Sequence, residues 1–225
     1  NDTNSDPCDA GTALTIADIN EVIITGTSGN DSVTISHAGT TDWPDGVDFT
    51  IDLEGGTDSL TITGDDDADT ITFGATSINL DNSGNTDVAA SDTENFAVNA
   101  GAGGDSISGA GGGTPSTGSA FAAAIAINGE GGGDVLTGGN GNDTINPGTG
   151  SDNDTVNCGA GTDTVSYAGN TVAITLNLAT TTAQSTGAGS DTITNCENAT
   201  GGSGASSTSA RWSSATASCA RSGGR

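Results

Sequence analysis

Aspartate is the residue whose type and spacing could do chemistry in this chain. Asp134, Asp143 and Asp152 are nine residues apart, and Asp154 and Asp163 are again nine apart after a two-residue slip. Carboxylates at this density could pair for acid–base work on a glycosidic bond. Such sites lean on aromatic platforms, however, and Trp43, Trp212 and Tyr167 each read as packing or loop residues. His37 is the single histidine, in SHAGTTDWPDG, and the chain has no HExxH or GxSxG. A triad or zinc-protease site needs histidine in defined company, so no catalytic residue is expected. Four cysteines (Cys8, Cys158, Cys196, Cys219) allow three pairings. Without a CxxC and with one histidine, a zinc site is not expected.

These aspartates must be positioned by elements that the composition makes unusual. Of 225 residues, 37 are glycine and 29 are acidic, against three arginines and no lysine, for a net charge of −26. The absence of lysine excludes Schiff-base and phosphate-loop chemistry. Residues 1–210 hold no Lys or Arg, which excludes a nucleic-acid interface. No apolar run is long enough to span a bilayer. Apolar residues make up 32% and aromatics 3%, a balance that signals disorder unless something other than an apolar core holds the chain. An internal repeat supplies that alternative. Residues 138–146 read GGNGNDTIN, residues 129–137 GEGGGDVLT and residues 158–166 CGAGTDTVS. Degenerate copies are GTSGNDSVT at 26–34, GGTDSLT at 55–61, GDDDADTIT at 64–72, GAGGDSIS at 101–108 and GAGSDTIT at 187–194.

The unit Gly-Gly-x-Gly-x-Asp-x-apolar-x resembles the RTX (repeats-in-toxin, haemolysin-type) nonapeptide. VSYAGNTVAITLNLAT at 165–180 is similar to sequence that recurs between RTX blocks. The resemblance covers most of residues 26–204 and implies an all-β fold, a parallel β-roll or β-solenoid with short strands and calcium-binding glycine-rich turns. Each nonapeptide would be half a coil. The glycines permit tight turns, and each x-apolar-x segment is a strand with one inward side chain. Val33, Leu60, Ile71, Ile107, Leu136, Ile145, Val156, Val165 and Ile193 would form the core rows.

Stacked coils would also stack their carboxylates at roughly 4.8 Å. Calcium, a hard cation taking about 6–8 oxygens, relieves that repulsion. In the family, motif aspartates and turn carbonyls bind ions between coils. Carried onto this chain, the resemblance implies Asp134, Asp143, Asp152, Asp154 and Asp163 as ligands, with Gly132, Gly139, Gly141, Gly150 and Gly161 in the turns. Asp31, Asp58, Asp69, Asp105 and Asp191 form a second set in more degenerate surroundings. Asp65-Asp66-Asp67-Ala68-Asp69 lacks the EF-hand glycine and glutamate; an enriched calcium turn and an exposed acidic bend both remain open. A Cys-Gly-x-Gly-x-Asp unit followed later by Cys-Glu resembles an RTX pairing pattern and implies a Cys158–Cys196 disulfide. Cys8 and Cys219 would be free or would join two molecules.

Along the chain, residues 1–25 form an N-terminal segment, polar at first with no visible leader, then a capping strand in ALTIADINEVIIT. Residues 26–110 carry motif aspartates at irregular intervals and predict a wider solenoid with larger coils or inserted strands. Residues 111–127 predict a loop and short strand, residues 128–204 the regular roll, and residues 205–225 a Ser/Ala tail with Arg211, Arg221 and Arg225. That tail is a flexible segment, an interrupted repeat or a basic docking arm.

The function expected is an extracellular, secreted or cell-surface calcium-binding structural protein. Its repeats would fold on calcium and self-associate head to tail into a filament or matrix. An adhesin is the alternative. Thr61/Thr63, Thr70/Thr72 and Thr192/Thr194 resemble pairs in ice-binding solenoids, a remoter reading. A secretion module of a larger toxin or enzyme is another, although repeats fill this chain.

Overall fold

A computed structural model describes residues 20–36, 46–81, 85–113 and 116–209. Cys8, His37, Trp43, Trp212, Cys219, the three arginines and residues 13–19 of the expected capping strand lie outside the described residues.

All regular structure among the described residues is β. The chain winds between two rows of mainly parallel strands, so the molecule is the expected β-solenoid and not a closed barrel. The first row runs, in spatial order, through Glu21–Thr27, Asp48–Glu54, Val88–Ser91, Ile78–Asn79, Thr70–Phe73, Ser106–Ser108, Val135–Thr137, Thr155–Asn157, Ser190–Thr194 and Gln184–Ser185. The second runs through Ser32–Ser36, Ser59–Thr63, Asn95–Asn99, Ile125–Asn128, Thr144–Asn146, Thr164–Ser166 and Asn198–Thr200. Strand registers stack like on like. Ile71, Ile107, Leu136, Val156 and Ile193 follow one another down the first row. Ile35, Ile62, Val98, Ile127, Ile145 and Val165 follow one another down the second. Of the nine side chains expected in the core, Val33 is half-buried and the other eight are buried. Full burial of each such aliphatic side chain contributes roughly 1.5–3 kcal/mol.

The solenoid narrows along its length. N-terminal strands such as Ser59–Thr63 bury two side chains, Leu60 and Ile62, whereas Thr144–Asn146 buries one, Ile145. Phe73, Phe96 and Phe121 fill the wider part in edge-to-face contact, with ring centroids 4.8 to 6.5 Å apart. There the first row also takes an insert: Ile78–Asn79 pairs antiparallel with both Thr70–Phe73 and Val88–Ser91. The segment 111–120 carries a small antiparallel pair, Gly112–Gly113 with Ser116–Gly118. Thr175–Asn177 pairs in parallel with Ser207–Ser209, so the first residues of the expected tail join a second short sheet.

Candidate functional site

Each motif aspartate except Asp152 sits at or next to the start of a strand, and its side chain turns inward. Three columns result. In the first row, the backbone N–H of Asp69 donates to Asp105 Oδ1 at 2.8 Å, that of Asp105 to Asp134 at 2.9 Å, that of Asp134 to Asp154 at 2.9 Å, and that of Asp154 to Asp191 at 3.1 Å. In the N-terminal part of the second row, Asp31 donates to Asp58 Oδ1 at 2.7 Å and Asp58 to Glu94 Oε2 at 2.8 Å. Further along, Ile125 donates to Asp143 Oδ1, Asp143 to Asp163 Oδ1 and Asp163 to Glu197 Oε2. The register places Asp143 two residues off the first of these columns, at the inward position that Leu60, Phe96 and Ile125 hold in earlier coils.

Asp58, Asp69, Asp105, Asp134, Asp143, Asp154, Asp163 and Asp191 are all buried, and in all of them but Asp69, which heads its column, one carboxylate oxygen accepts a backbone N–H of the preceding coil. Asp152 is exposed and belongs to no column. The two-residue slip gives its place to Asp154, 20 residues after Asp134. The sequence reading missed Glu94 and Glu197, which end the two second-row columns. Their signal is a repeated Glu-Asn pair: Asn95 and Asn198 each donate from Nδ2 to the carbonyl of the aspartate below, Asp58 and Asp163. It also missed the asparagines before Asp31, Asp143 and Asp154. Asn30, Asn142 and Asn153 accept the N–H of Thr57, Thr162 and Ser190 in the next coil.

The second carboxylate oxygen divides the aspartates. Before Asp31, Asp69 and Asp143, the residue four positions upstream donates its N–H to Oδ2: Thr27 at 2.7 Å, Asp65 at 3.1 Å and Gly139 at 2.7 Å. Before Asp58, Asp105, Asp134 and Asp163, that residue has a positive φ: Glu54 59°, Gly101 103°, Glu130 66° and Gly159 90°. In those four turns Oδ2 is buried with no hydrogen-bond partner. Asp191 follows a positive-φ residue too, Gly187 at 96°, but its Oδ2 accepts from Tyr167 Oη at 2.8 Å and Thr186 Oγ1 at 2.7 Å.

The turn glycines allow close stacking. A methyl group on Gly132 (φ 118°) would collide with the Gly103 carbonyl, and one on Gly161 (φ 146°) with the Gly141 carbonyl. Gly139, Gly141 and Gly150 lie outside the left-handed region. A methyl group on Gly129 would lie against both Asp134 Oδ2, which has no hydrogen-bond partner, and the Pro147 carbonyl oxygen, so two acceptors converge there.

Burial and neighbouring charges make these carboxylates reluctant to ionise. Burial, with smaller contributions from Asp134, Asp69 and Asp65, pushes Asp105 up to about 6 despite the opposing backbone hydrogen bond. Burial, then Asp191, Asp134 and Asp152, pushes Asp154 up to about 7. Burial with Asp143 and Glu197 pushes Asp163 up to about 6. Asp134 and Asp143 are raised as well, chiefly by burial. Burial first, then the adjacent Asp191, pushes the Tyr167 hydroxyl up.

Carboxylate and carbonyl oxygens, some of them orphaned and buried, are the donors a hard divalent cation takes. Among the described residues no three His, Cys, Asp or Glu side chains gather as a metal cluster. Cys158 and Cys196 form a disulfide. No helix among the described residues is long and apolar enough to cross a membrane. Comparison of the chain with protein families, with curated proteins and with solved structures finds no match.

Proposed function

We propose that this chain is a calcium-binding structural solenoid of the RTX kind, extracellular or at a cell surface, whose coils fold when calcium enters the acidic columns. The observation that carries the reading is the set of buried carboxylate oxygens without a donor at Asp58, Asp105, Asp134 and Asp163. A buried ionised carboxylate that lacks a partner is costly, and the neighbouring acids of each column add repulsion. A cation bound to the folded chain offsets both and adds folding free energy by linkage. Short strands with one inward residue bury too little to offset chain entropy alone. The Cys158–Cys196 disulfide suits an oxidising compartment.

Self-association head to tail extends the proposal. A solenoid stacks coils in one dimension and exposes strand edges at its ends. The decisive experiment is circular dichroism with chelator and then with excess calcium. The β-signal is expected to collapse in chelator and return with calcium. An identical signal in both would refute the calcium reading. Electron microscopy of the calcium-loaded protein tests assembly, and compact monomers alone would remove the filament.

A further inference from the structure

We infer that the acidic columns are not uniform and that Asp58, Asp105, Asp134 and Asp163 hold the divalent cations, whereas Asp31, Asp69, Asp143 and Asp191 are closed by the protein's own donors. The inference rests on the calcium reading and goes past the repeat pattern, which gives every motif aspartate the same role and ranks Asp143, in the perfect unit GGNGNDTIN, among the best.

The sorting follows from one peptide. Four residues before each of these eight aspartates, the backbone N–H either reaches Oδ2 or does not; Asp154, which follows Gly150, belongs to neither group. It does at Thr27, Asp65 and Gly139, at 2.7 to 3.1 Å. Asp143 accepts on both oxygens, and at Asp31 and Asp69 the same Oδ2 is occupied, so the position that faces the turn is spent. At Glu54, Gly101, Glu130 and Gly159 the residue takes a positive φ, and the Oδ2 four residues on is left buried without a donor. Glutamate is an unfavoured residue there. Glu54 and Glu130 nevertheless adopt the conformation, so the turn is imposed by the stack and not by local preference. Asp191 is the internal control. Its turn is of the positive-φ kind, yet two hydroxyls, from Tyr167 and Thr186, fill the place that a cation would take. Tyr167 is fully buried, and removal of both hydroxyls would leave Asp191 like the other four.

The test is calcium titration by calorimetry, with thermal unfolding of each loaded variant. Asp134→Asn and Asp163→Asn are each expected to remove at least one ion from the wild-type count. Asp143→Asn is expected to keep the count and lower the thermal midpoint. The paired change Tyr167→Phe with Thr186→Val is expected to add an ion. The gain variant keeps the test decisive if an asparagine variant fails to fold. Equal loss of ions from Asp134→Asn and Asp143→Asn, or no gain from the paired change, overturns the sorting. Wild-type protein that binds no calcium overturns the underlying reading instead.

Discussion

At Gly132 the backbone leaves no room for a side chain. Its φ of 118° and the Gly103 carbonyl, which occupies the place of a side chain, both exclude a β-carbon. Gly132→Ala is therefore expected to destabilise the protein by about 2–3 kcal/mol, measured as a lowered midpoint in urea. Gly131→Ala, next door and in open space, should change it little. The buried aspartates make a second expectation. In the folded chain Asp105 and Asp163 titrate near 6 and Asp154 near 7, against an ordinary 3.8. A folded pKa above the unfolded one means that the folded state binds the proton more tightly. Their contribution is then fully present below the ordinary value and is lost as pH rises through the folded values. In chelator, the thermal midpoint should be highest near pH 4 and fall as pH rises toward 7, where the fold is lost. Calcium should restore it at neutral pH. A midpoint in chelator that rises over that range would contradict the burial argument.

At the scale of the elements, each strand is defined by one or two inward side chains and by what lies above and below. Leu136 stacks between Ile107 and Val156 and is completely buried. Leu136→Ala should cost about 2–5 kcal/mol, because neighbouring coils cannot close the gap. The Cys158–Cys196 bridge closes a sequence separation of 38 residues. On the chain-entropy account its reduction should cost about 4 kcal/mol, visible as a lower midpoint in reductant. Much of this level was legible in the sequence. The x-apolar-x signature located the buried rows from Leu60 to Ile193, because a repeat states its own period. The irregular coils were less legible. Asp69 meets Asp105 across 36 residues and Asp154 meets Asp191 across 37, and insertions of that size hide the partner. Glu94 and Glu197 escaped for a related reason: a longer side chain reaches the same place and breaks the aspartate pattern. Whether Oδ2 is free was not legible at all. Gly139 and Gly159 open near-identical units, yet the peptide turns differently in each, and only stacking decides which.

For the whole molecule, the carboxylate columns have a direction. In each column an amide of one coil donates to the acid of the coil that follows it in the chain, from Asp31 to Glu94, from Ile125 to Glu197 and from Asp69 to Asp191. The two ends of the solenoid are consequently unequal under shortening. In the column, loss of a leading coil strips one bond from a carboxylate that water can then hydrate, and the exposed amides that had donated backwards, such as Thr57 to Asn30, can turn to water as well. Loss of a trailing coil strands an N–H that has no substitute acceptor, at about 1–3 kcal/mol where the group stays buried. Trimming from the C-terminal side should therefore unravel the protein sooner than equal trimming from the N-terminal side. A nested deletion series followed by limited proteolysis in calcium would read this out, and symmetric resistance would count against it. A chain leaving a ribosome or a pore meets the same asymmetry in time, since each coil waits for its successor before its last amide is satisfied.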